Sequence, residues 1–166
     1  MRNKKAKDMA LGGLMAALAV VIMSLGGLIP LATYVCCVLC MILCGVILRF
    51  CGRRIAWTWY ASVSVLCLLL AADKESAFLF AFIGYYPILK AAFDKRKVIG
   101  FVGKLAFFNA VILIAYLLLI YLLGMVSIMA EFAELGIIGG VVMLVLGNVT
   151  FLLLDRLLTI INKIRG

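Results

Sequence analysis

Apolar runs of about 20 residues alternate along this chain with short polar segments, and the polar segments are of two kinds. One kind is basic: Arg2, Lys4, Lys5 and Lys7, then Arg49, Arg53 and Arg54, then Lys90, Lys95, Arg96, Lys97 and Lys104, then Arg156, Lys163 and Arg165. The other kind holds a single cation, Lys74, between Asp73 and Glu75. A helix needs roughly 20 apolar residues to cross a hydrocarbon layer of about 30 Å. The runs therefore predict six membrane-spanning helices, over about 9–29, 31–48, 55–72, 76–93, 105–126 and 136–158. Read so, all the basic residues except Lys74 fall on one side, and short positive loops stay in the cytoplasm. The expected fold is an all-α integral membrane protein of the cell membrane: one domain over 1–166, a bundle of six transmembrane helices with both termini cytoplasmic.

Composition agrees with that reading. With 68% hydrophobic and 14% charged residues, the chain carries more apolar surface than a water-soluble core of this size hides. The formal charge of +9 would suggest nucleic acid in a soluble protein. Here the cations flank apolar runs, so membrane lipid of the anionic inner leaflet is the expected partner and nucleic acid is not. The first run ends without a small-residue cleavage site, Ala17 and Ala19 lying in its middle, and reads as a retained helix rather than a signal peptide.

Several residues stand out against the apolar background. At about 100° per residue, Ala6, Ala10, Gly13, Ala17 and Ser24 fall on one face of the first helix, a stripe that lets two backbones approach closely. It fits either a contact inside the bundle or docking onto another subunit. Cys37, Cys40, Cys44 and Cys51 share a face of the second helix, with Cys36 beside it. Thiolates bind soft metals, but the chain has no His and no paired C-x-x-C, so packing is the expected role and no metal site is. Trp57 and Trp59 follow Arg53 and Arg54 and read as interfacial anchors.

The fourth span contains Gly84, Tyr85, Tyr86 and Pro87, which predicts a kink near Ile83, since proline lacks the amide N–H and crowds the carbonyl four residues back. Lys90 shares a face with Tyr86 and Asp94. It is expected to snorkel to the inner headgroups, or alternatively to make a polar contact that changes during gating. Asn109 and Tyr116 lie seven apart in the fifth span, and Asn148 and Asp155 seven apart in the sixth. Asn148 is expected to hydrogen-bond across helices, with a solute pathway as the alternative. The acidic residues Asp73, Glu75, Glu131 and Glu134 lie on the outer side, either solvated or around an external mouth.

The chain has no H-E-x-x-H, Walker A loop or G-x-S-x-G, and no paired intramembrane carboxylates, so no catalytic residue and no cofactor is expected. Six spans, inside termini, a basic amino terminus and an Ala/Gly-striped first helix over Leu11 to Pro30 resemble the substrate-binding S components of energy-coupling factor (ECF) transporters. The resemblance implies that Ala10, Gly13 and Ala17 pack against a transmembrane scaffold subunit, which sits on two ATPase subunits. It also implies a small-molecule nutrient, such as a vitamin, bound in a pocket open to the outside. Thr33, Tyr34, Asp73, Glu75, Tyr116, Tyr121 and Glu131 are the candidate pocket residues, as aromatic and polar groups on the outer side that suit a small polar-aromatic ligand. The alternatives are a structural or assembly membrane protein whose stripes are all internal packing, and a stand-alone channel lined by Tyr86, Lys90, Asn109 and Asn148.

Overall fold

The computed structural model describes residues 2–26, 32–94, 97–121 and 126–163, and within these helices the side chains of Thr33 and Glu131 lie outside the description. Among the described residues seven helices follow one another: α1 (Arg2–Gly26), α2 (Ala32–Cys51), α3 (Arg53–Leu70), α4 (Lys74–Ile83), α5 (Tyr86–Phe93), α6 (Lys97–Tyr121) and α7 (Val126–Lys163). No strand occurs among the described residues. Among the described residues four stretches are long and apolar enough to cross a membrane: Ala6–Gly26, Tyr34–Cys51, Gly100–Leu118 and Gly139–Ile161. A helix satisfies its own backbone hydrogen bonds where no water can, and four such stretches, in a chain helical throughout its described elements, suit a membrane protein. Large apolar side chains face outward along these helices, among them Val102, Leu113, Leu144 and Leu153, as expected of surfaces solvated by lipid tails.

The third expected span falls on α3 and the fourth on α4 and α5, which are not among those four stretches. Pro87 offers no N–H to Ile83 O, and the helix breaks at Gly84–Tyr85, where the sequence predicts the kink. Gly84 N–H still donates to Phe80 O at 2.7 Å, and the Tyr60 hydroxyl donates to Ala81 O just before the break. Neighbouring side chains thus help to satisfy a kinked helix in an apolar setting.

Three boundaries differ from expectation. α1 begins at Arg2, so the basic leader is helical. α6 begins at Lys97 and takes in Lys104, which the apolar pattern places in a loop. Its charge is matched inside the protein, so the helix runs through it. Residues 127–135, expected as an outer loop, belong to α7, which breaks at Gly136 with φ 61 and ψ −171. That left-handed φ is open to glycine and strained for other residues. Gly52, at φ 89, makes the equally abrupt turn between α2 and α3.

α2 is the central rod, packing against α1, α3, α4, α5 and α7, while α4 and α5 contact α6. Cys40, Cys44 and Ile47 of α2 meet Ala19 and Met23 of α1, Val63 and Cys67 of α3, Phe80 of α4, Tyr86 and Ile88 of α5, and Phe151, Leu154 and Leu158 of α7 in one buried cluster. The cysteines are small apolar fillers here. Cys40 Sγ lies 3.6 Å from Ala19 O and Cys51 Sγ 3.8 Å from Asp8 O, so both thiols pin α2 to α1. Among the described residues no group of His, Cys, Asp or Glu is placed to hold a metal ion.

Candidate functional site

Polar side chains gather at three levels along the bundle. The first lies at the end away from the basic clusters, where α2 begins, α3 passes into α4, and α6 nears its end. Asp73 is the N-cap of α4: its Oδ1 accepts from Glu75 N at 3.0 Å and Ser76 N at 3.2 Å, and Ser76 Oγ donates to Asp73 O at 3.1 Å. An aspartate suits this place because it satisfies orphan amides and complements the positive end of the helix dipole. Lys74 turns the other way and donates to Leu68 O at 3.0 Å and Leu69 O at 3.2 Å, capping the C-terminus of α3. The cation between the two acids is thereby directed at a helix end.

With Lys74 so placed, Glu75 faces α6. Tyr116 OH donates to Glu75 Oε1 at 3.1 Å and lies 2.6 Å from Tyr34 OH. Since the Tyr116 proton is directed to the carboxylate, Tyr34 donates to Tyr116, and a relay Tyr34–Tyr116–Glu75 links α2, α6 and α4. Asp73 and Cys36 also lie close to the end of α1: a Cβ on Gly26 would stand 3.4 Å from Asp73 Oδ2 and 3.3 Å from Cys36 Sγ. Four of the seven expected pocket residues, Tyr34, Asp73, Glu75 and Tyr116, thus occupy one region. Tyr121 is 83% exposed and takes no part in the relay. Thr33 and Glu131 fall outside the described side chains.

The second level is midway along α6 and α7, where Asn109 and Asn148 exchange reciprocal amide bonds of 2.9 and 3.1 Å. Each also donates back to its own helix, Asn109 to Leu105 O and Asn148 to Leu144 O, both at 2.8 Å. This is the cross-helix pairing expected of amides in lipid.

At the basic end, the third level is a buried charge cluster. Asp155 of α7 accepts from Tyr86 OH at 2.5 Å, from Lys90, and from Lys104 at 3.0 Å, while Lys104 also pairs with Asp94 and Lys90 lies 3.5 Å from Asp94. Lys90 is 2% exposed, so the expectation that it snorkels to headgroups is corrected: Asp155, 65 residues away in sequence, offers a nearer anion. Lys104 was legible only as a member of the basic run, and its position inside an apolar stretch was the one signal of a buried partner. Between the second and third levels Phe108 stacks on Phe151 at 4.5 Å, and Phe151 packs edge-on against Tyr86 at 4.7 Å.

The small-residue stripe of α1 lies on the outside of the protein. Ala6, Ala10, Gly13 and Ala17 are all exposed, and a Cβ on Gly13 would meet nothing within 4 Å. The helix buries a different side, through Gly12, Ala19, Met23 and Gly26. Trp59 contributes to that contact: it is buried, and its indole N–H donates to Gly12 O at 3.0 Å. Its expected role as an interfacial anchor is therefore corrected. Trp57 stays partly exposed and stacks on Tyr85 at 6.3 Å. Among the described residues nothing in the bundle covers the stripe from Ala6 to Ala17, while its fifth member, Ser24, is half-buried and donates to Val20 O at 2.8 Å.

No protein-family model, curated protein or solved structure matches the chain.

Proposed function

We propose that this chain is a six-span subunit of the cell membrane, with both termini cytoplasmic, that captures a small organic nutrient from outside and assembles with a separate scaffold and its ATPases, as an ECF S component does. One observation carries the reading: α1 holds itself to the bundle through one side and leaves Ala10, Gly13 and Ala17 bare on another. Within a membrane the hydrophobic effect does not drive helices together, so close backbone approach at small residues is a main source of helix affinity. A bare stripe of this kind suits a helix from another subunit. The polar group at the far end, Tyr34, Tyr116, Glu75 and Asp73, supplies two ring faces, hydroxyls and two carboxylates, a set suited to a polar aromatic or amine-bearing nutrient. α3 and the α4–α5 pair serve as the third and fourth spans in this arrangement, which places the basic clusters on the cytoplasmic side.

The test is purification from the native membrane with bound small molecules and partner chains analysed by native mass spectrometry. Gly13→Leu is expected to lose the larger subunits while keeping both fold and bound metabolite. Tyr116→Phe is expected to keep the subunits and to weaken metabolite retention about tenfold, the size of one lost hydrogen bond to a charged group. Wild-type protein carrying lipid alone would refute capture and favour a structural membrane protein. Unchanged assembly in Gly13→Leu would refute docking through α1.

A further inference from the structure

We propose that the buried charge cluster at the basic end is a releasable clasp, and that α5, hinged at Gly84–Tyr85, is the element it holds. The cluster ties three helices at one point: Lys90 and Asp94 from α5, Lys104 from α6 and Asp155 from α7, with Tyr86 adding a neutral donor. Two cations face two anions, so the complete set is neutral. As permanent glue such a set is a poor choice. Desolvating each ion costs several kcal/mol, and well-packed apolar side chains of similar volume hold helices as well or better. Its distinctive property is interdependence: while every partner is in place each charge is compensated, and loss of one leaves a buried charge unpaired. A contact of that kind has two states, closed or open, with little between them.

The backbone around α5 is built for such a choice. At its start the α4 ladder is interrupted at Gly84–Tyr85, which keep right-handed helical dihedrals, and Pro87 cannot supply the missing N–H, so α5 is joined to α4 by fewer backbone bonds than an unbroken helix would have. α5 has eight residues, too few to be stable alone. Its position is therefore set from outside, by Ile88 and Tyr86 in the core and by Lys90 and Asp94 in the cluster. One member, Asp94, has a side chain 45% exposed, so solvent ions reach one end of the cluster and can compete for Lys104. The clasp acts on α5 whatever the protein carries.

Hydrogen–deuterium exchange of the full chain in lipid nanodiscs, resolved by helix, tests it without a ligand. In the wild type, α5 amides are expected to exchange through local opening, faster than those of α2 and without loss of the remaining fold; exchange of α5 and α2 at one common rate would overturn the clasp. Asp155→Asn, which leaves Lys90 and Lys104 short of an anion, is expected to raise α5 exchange about a hundred-fold while α1 to α3 change little. The paired replacement Lys90→Met with Asp155→Asn keeps Lys104 on Asp94, leaves no charge unpaired and still offers the Tyr86 hydroxyl an amide oxygen. It is expected to return α5 exchange to the wild-type rate or below. If Asp155→Asn fails to fold, Lys104→Met, which removes the cation paired with the exposed Asp94, provides the single-partner loss. A uniform rise over all helices, or no rise in α5, would overturn the proposal.

Discussion

Gly100→Ala probes the step by which α5 hands the chain to α6. Gly100 is buried in the early part of α6, and a Cβ there would fall well inside van der Waals contact with the Phe93 carbonyl oxygen at the end of α5, 3.3 Å from the carbonyl carbon. Both partners are backbone, so no side chain can swing away, and the two helix ends must separate. Overpacking of this sort costs about 1–3 kcal/mol, against which alanine returns up to about 1 kcal/mol of helix propensity. Separation also strains the pairing of Lys104, one turn further along α6, with Asp94 at the end of α5. A net loss of up to about 2 kcal/mol follows, and at about 2–4 °C per kcal/mol for a chain of this size the melting temperature falls by a few degrees. Gly13→Ala is the control: the same methyl is added to a helix, but nothing lies within 4 Å, so stability is unchanged or slightly raised. Thermal unfolding of the purified protein in one detergent, followed by size-exclusion chromatography, measures both. A Gly100→Ala protein that melts with the wild type would refute the close approach of α5 and α6, and with it the placement of Lys104.

Trp59→Phe removes the donor to Gly12 O and part of the buried indole, lowering stability by about 1–2 kcal/mol. Since Trp57 is then the remaining tryptophan, the emission should shift to the red and become open to a soluble quencher; emission that stays blue would contradict the assignment of Trp59 as the buried one. Asn109→Ala, Asn148→Ala and their double mutant form a cycle for the reciprocal amide pair, expected to show a coupling of about 0.6 kcal/mol and not above about 1.7. Additive losses would mean that the two amides act apart.

The helical kind of the chain and four apolar stretches of membrane-crossing length were legible because a bilayer fixes how many apolar residues a crossing needs, and the α4–α5 break was legible because Pro87 lacks an N–H wherever it stands. Periodicity also showed that Ala10, Gly13 and Ala17 share one face of α1. It did not show which way the face turns. A helix in lipid is apolar all round, so its sequence lacks the polar side that marks the exterior of a soluble helix. Only the packing of Gly12, Ala19, Met23 and Gly26 onto the bundle, with Trp59 bonded to Gly12, decides that the stripe is bare. The same holds for charge: the sequence places Lys90 near Asp94, one turn away, but Asp155 and Lys104 arrive from separate helices, and their approach turns a cation expected at the headgroups into a buried one. By itself the sequence determined what is local, namely span length, the proline break and which residues share a helix face. The tertiary structure decided what depends on neighbours: which face is covered, and which charge meets which, since ion pairs and buried contacts join residues that the chain keeps far apart.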